Sequence, residues 1–67
     1  MKAAKQILHV SKEIQSKDWI AYKANCSPLV TGSFDLVCEV AKDWAATNNM
    51  DAVVVHHTSS NSEVIWR

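Results

Sequence analysis

Sixty-seven residues with seven acidic and seven basic side chains and no net charge exclude the broad cationic surface of a dedicated nucleic-acid binder. A chain this short makes one small domain, residues 1–67, and buries only about 60% of the surface it exposes when unfolded, so its core is thin. The longest uninterrupted apolar runs, Trp19 to Tyr22 and Ala52 to Val55, are four residues each, far short of the roughly 20 needed to cross a bilayer.

In residues 2–16, Ala3, Ile7, Val10 and Ile14 recur at spacings of four, three and four, which places them on one helical stripe and predicts a first helix. The rival is a strand over residues 5–14. Lys12 would interrupt the apolar face of that strand, and Ala, Lys, Gln and Glu favour helix on propensity. Residues 18–24, DWIAYKA, are short, aromatic and β-leaning, and Asn25 to Pro28 supply turn residues. A brief extended segment, Leu29 to Thr31, follows.

Gly32 then precedes Ser33, a good N-cap, and a second helix is predicted from about Phe34 to Asn48. At about 100° per residue, Phe34, Val37, Cys38, Ala41, Trp44, Ala45 and Asn48 share a broad apolar face, with Asp35, Glu39 and Asp43 nearly opposite. Asn48 and Asn49 suit the helix end, since Asn tolerates the left-handed conformation, and Met50 is placed to fold back on the last turn. Ala52 to His57 reads as a strand, Thr58 to Ser62 as a turn, and Glu63 to Arg67 as the second strand of a hairpin. The expected fold is α+β: a small antiparallel sheet with two helices on one face in the order αββαββ, or ββαββ if residues 5–14 form a strand.

Little of the catalytic vocabulary is present. His56 and His57 are chain neighbours on a strand, so they point to opposite faces and do not converge on one ion. No Cys-x2-4-Cys or His-x3-5-His spacing occurs, so no metal site is expected. Eleven residues separate Cys26 from Cys38, and one disulfide between them is conceivable. Met1 is followed by no apolar leader or tag-like sequence, which leads to the expectation of a complete cytoplasmic protein with free thiols. Cys38 falls on the apolar helix face, where a small buried thiol is the default. Cys26 sits in a turn and is the one candidate reactive thiol. Triads, phosphate-cradling loops and dinucleotide fingerprints are missing, and a single glycine leaves few places for close backbone approach to a ligand. No catalytic residue and no cofactor is assigned.

What remains is surface. Residues 1–25 hold five lysines against Glu13 and Asp18, a balance of +3; residues 26–67 hold Lys42 and Arg67 against five acids, a balance of −3. Asp35, Glu39 and Asp43 form an acidic stripe on the second helix, with Leu36 and Val40 at its margin. Lys2, Lys5, His9 and Lys12 form a basic stripe on the first. Ordinary solvated faces are the plain reading of both. The functional reading is that one docks on a surface of opposite sign, where charge sets orientation and rate while nearby apolar anchors supply affinity. Trp44 is expected in the core. Trp19 and Trp66 are core or anchor, Trp66 lying close to the chain end on a sheet edge.

These features lead to the expectation of a non-enzymatic protein-binding module, an inhibitor or regulator of the kind found in phages and mobile elements. Its partner would be a protein with a basic surface, met by Asp35, Glu39, Asp43, Leu36 and Val40, with Trp66 as a further anchor. The alternatives are a structural homodimer or small subunit joined at the edge near Trp66, and a weak nucleic-acid binder using Lys2, Lys5, His9 and Lys12.

Overall fold

A computed structural model of the chain describes residues 6–24, 26–58 and 60–67. The elements are β1 (Ile7–Lys12), β2 (Trp19–Lys23), β3 (Val30–Gly32), α1 (Phe34–Thr47), β4 (Ala52–Thr58) and β5 (Asn61–Trp66). The five strands form one sheet in the order β3-β2-β1-β4-β5. Neighbours pair antiparallel except β1 and β4, which run parallel at its centre.

The α+β class holds, but the first helix and the αββαββ order are corrected. Among the described residues there is one helix, the sheet is mixed, and the order is βββαββ. Ile7 to Lys12 is a strand, close to the rival expectation for residues 5–14, and the reason lies in its partners. Leu8 and Val10 are completely buried between Ala21 of β2 and Val53 and Val55 of β4, a long-range gain that overrides local helix propensity. Lys12 does follow Leu8 and Val10 on the same face, as the period of two requires. It ends the strand, however, and is exposed, so its charge never enters the core. Ile14, which a helical stripe would bury, is 95% exposed in the turn after β1. That turn closes through Glu13 N–H donating to the Asp18 carbonyl at 2.7 Å and Lys17 N–H donating to the Glu13 carbonyl at 3.1 Å, with Lys17 at φ 64°.

The predicted second helix is α1, and its ends follow the residue types. Leu36 N–H donates to Ser33 Oγ at 3.3 Å, satisfying one of the orphan donors of the first turn. At the other end Asn48 caps, Asn49 takes φ 56°, and Met50 N–H donates to the Ala45 carbonyl at 2.9 Å. That bond is the Schellman closure, and it folds Met50 into the core. Gly32, the residue before the cap, sits at φ 154°, and a Cβ there would lie 2.9 Å from Leu36 Cδ2.

The helix lies over β1 to β4. Val37, Cys38, Ala41 and Ala45 of α1 meet Leu8, Val10, Ala21, Val53 and Val55 of the sheet. These side chains are small. The large ones, Trp19, Phe34, Trp44 and Trp66, are only half-buried around them. The parallel pair is pinned at its start by two reciprocal bonds at 2.7 Å: Gln6 N–H donates to Asp51 Oδ2 and Asp51 N–H to the Gln6 carbonyl. No helix among the described residues is long and apolar enough to cross a membrane.

Candidate functional site

Two surfaces stand out, one on each side of the molecule. On the helix side, Asp35, Glu39 and Asp43 are all exposed on the outer face of α1, as their spacing predicts. Leu36 and Val40, one turn apart beside them, are 51% and 37% exposed. The nearest opposing charge is Lys42, 3.7 Å from Glu39, a loose solvent-screened pair of little energetic weight. The stripe therefore remains acidic, with an apolar margin.

Trp66, the further anchor expected from the sequence, is half-buried and packs against the core from the helix side of β5, opposite Val53. Trp19 packs edge-on to Phe34, with ring centroids 4.7 Å apart. Neither is a free-standing aromatic. The basic stripe does not assemble as a helical face. His9 and Lys12 point to opposite sides of β1, because they stand three apart on a strand; Lys2 and Lys5 lie outside the described residues.

On the other side no described element covers the sheet. Strand alternation and register assign Ile7, His9 and Ser11 of β1 and Ile20 and Tyr22 of β2 to this side, with Val54 and His56 of β4 and Ser62 and Val64 of β5. The five strands contain three charged residues, Lys12, Lys23 and Glu63. All three register with helix-side residues: Lys12 with Trp19, Lys23 with Leu8, Glu63 with Val55. Among the described residues of the sheet, the solvent side thus carries no formal charge. An antiparallel or mixed sheet with one wet face ordinarily puts its charges there, so the distribution is inverted.

Across the middle of this face runs a row of rings. Tyr22 and His9 have centroids 5.4 Å apart and planes 25° from parallel. His9 Nδ1 lies 2.9 Å from His56 Nε2, and these two rings have centroids 5.1 Å apart with planes within 23°. That centroid separation is about the N···N distance plus one ring radius at each end, so the imidazoles meet edge to edge in a near-linear N–H···N bond rather than face to face. One nitrogen donates and the other accepts, which requires at least one ring to be neutral. Burial first, and His56 second, hold the His9 pKa below its ordinary 6.5. Residue spacing alone puts His9 on a basic stripe and gives His56 no partner; the matching alternation of Ile7-His9-Ser11 and Val54-His56 is the available signal, and only the parallel pairing joins them.

His57 points to the helix side, as neighbours on a strand must. Its Nε2 lies 3.2 Å from Glu63 Oε1, and its ring lies near Phe34 and Trp19. Cys26 is exposed and Cys38 buried, both as free thiols. Burial pushes the Cys38 pKa up, Lys42 opposes this, and Asp35 and Glu39 add to it. A raised pKa keeps the thiol protonated and a poor nucleophile. Among the described residues no group of three or more His, Cys, Asp or Glu side chains could hold a metal ion. An open depression of about 340 Å³ lies at the ends of β1 and β4, between Lys12, Ile14, His57 and Thr58; it is too exposed to solvent to exclude water from a reaction. Comparison with protein-family models, curated proteins and solved structures returned no match.

Proposed function

We propose that this chain is a non-enzymatic protein-binding module, an inhibitor or regulator that works by covering part of another protein, and that α1 presents the contact surface. The observation that carries this reading is the pairing of Leu36 and Val40, both exposed, with the acidic line Asp35, Glu39 and Asp43 on one helix face. Three acids along a helix repel one another by a few tenths of a kcal/mol per pair, and only Asp35 lies in the first turn, where the helix dipole compensates. A basic partner surface relieves that repulsion and orients the encounter, while the two aliphatic side chains lose water on contact.

The test uses a partner captured from a lysate of the source organism and then purified. Asp35→Lys, Glu39→Lys and Asp43→Lys together should slow association markedly and reverse its salt dependence, and Leu36→Ala with Val40→Ala should speed dissociation. Unchanged binding by both variants, with unchanged circular dichroism, sinks the proposal. A second reading, a small subunit joined to its neighbour by strand pairing along β5, is favoured by the edge position of that strand.

A further inference from the structure

The sheet face opposite α1 differs in character from the acidic outer face of the helix. It is broad, it is free of formal charge among the described residues, and its apolar side chains are contiguous. Ile7, Ile20, Tyr22 and Val54 stand around His9 on the central strand, and Val64, 48% exposed, extends the patch onto β5. A face turned to water all the time gains nothing by holding its three strand charges on the opposite side.

We infer that this face is the interface of a symmetric homodimer, two copies packing sheet against sheet with His9 near the centre of the contact. The occupant is argued from charge, area and the core. An uncharged face meets its own copy without repulsion. It also offers no charge for a differently charged partner to complement, whereas the acidic face of α1 would repel its own copy and points away from the contact. Five strands about 4.8 Å apart, the longest of seven residues, give a face of about 450 Å² per copy, roughly 900 Å² for the pair. That is the small end of specific interfaces, so association in the micromolar range is expected. Finally, the core under α1 is thin, built mainly of small Val and Ala side chains. Chains of this size commonly complete their burial by association. Aligned packing, about 10 Å between sheets, would bury the Tyr22–His9–His56 row and leave the two α1 faces on opposite outer sides of the dimer.

This inference is independent of the helix-face reading, and the substitutions expected to break the dimer lie outside α1. Sedimentation equilibrium of the full chain at neutral pH, up to roughly 200 µM, should reveal twice the chain mass with a dissociation constant in the micromolar range. Val54→Lys and Tyr22→Lys, made separately, each place a charge in the contact and should weaken the dimer on the order of a hundredfold. The triple lysine variant of α1 should still dimerise. A wild-type chain that stays monomeric over that range overturns the inference, as does a dimer that survives both face substitutions. Should a face variant unfold, isotope-filtered nuclear Overhauser spectra on a mixture of labelled and unlabelled wild-type chains decide. Intermolecular contacts from Tyr22, His9 and Val54 support the face-to-face dimer; contacts confined to the β5 edge or to α1 overturn it.

Discussion

His9 Nδ1 and His56 Nε2 lie 2.9 Å apart across the parallel β1–β4 pair, close enough that a single proton serves both. Their strands are 47 residues apart in the chain at this point, so the pair reports directly on the central step of the fold. Among the described residues, the groups facing it are the Tyr22 ring on β2 and neutral side chains of β1, β4 and β5. No carboxylate among the described residues of that sheet face stabilises a second proton.

A pH dependence follows with a definite sign. The His9 pKa in the folded chain lies below its ordinary 6.5, so between those two values the unfolded chain binds the proton and the folded chain does not. Stability is therefore full above about 6.5 and falls as the pH drops from there through the folded value. Urea midpoints measured between neutral and mildly acidic pH should decline over that window, and His9→Phe, which keeps a ring but not the titration, should flatten the decline. An unaltered decline in that variant would show that some other group is responsible.

Leu8 and Ile14 separate a strand from a helix at the start of the chain. Leu8 is fully buried and Ile14 is 95% exposed. Leu8→Ala should cost about 2–5 kcal/mol and Ile14→Ala less than about 0.5 kcal/mol in chemical denaturation. A costly Ile14→Ala would restore the helical stripe.

Gly32→Ala should destabilise the fold by about 1–3 kcal/mol, because φ 154° is a conformation that residues with a Cβ rarely adopt. The Leu36 side chain can swing away from the added methyl, so most of the cost is in the backbone. Thermal and urea unfolding of the variant measure it, and a neutral result would mean that the β3–α1 junction relaxes freely.

The two thiols should differ sharply in reactivity. Cys26 is exposed, while Cys38 is buried and its pKa is raised, chiefly by burial. A colourimetric thiol reagent at neutral pH should titrate Cys26 at once and Cys38 only as the chain opens or unfolds. Two equally fast thiols would contradict the packing of Cys38 under α1.

Local chemistry was enough to read α1 and its surroundings. Ser33, the 3.6-residue apolar period, the two asparagines and Met50 each act through neighbours within a turn of chain, and the acidic line with Leu36 and Val40 follows from the same period. The existence of the β4–β5 hairpin and of β2 was legible for a similar reason, since alternation and turn residues are short-range signals, but the strands run into the expected Thr58–Ser62 turn, with His56 paired to Ser62 and Thr58 to Asn61. Those segments, and the opposite directions of His56 and His57, the sequence determined by itself.

The tertiary structure decided the rest. Residues 7–12 carry a pattern compatible with helix or strand, and the choice went to the conformation that buries Leu8 and Val10 between Ala21 and Val53, partners far away in the chain. The same parallel pairing brought His9 to His56, and the register put Lys12, Lys23 and Glu63 on the helix side, leaving the other face without charge among the described residues. The physical reason is that helix periodicity is written within a few residues, whereas a strand's neighbours and faces are set by the long-range burial its whole sheet achieves.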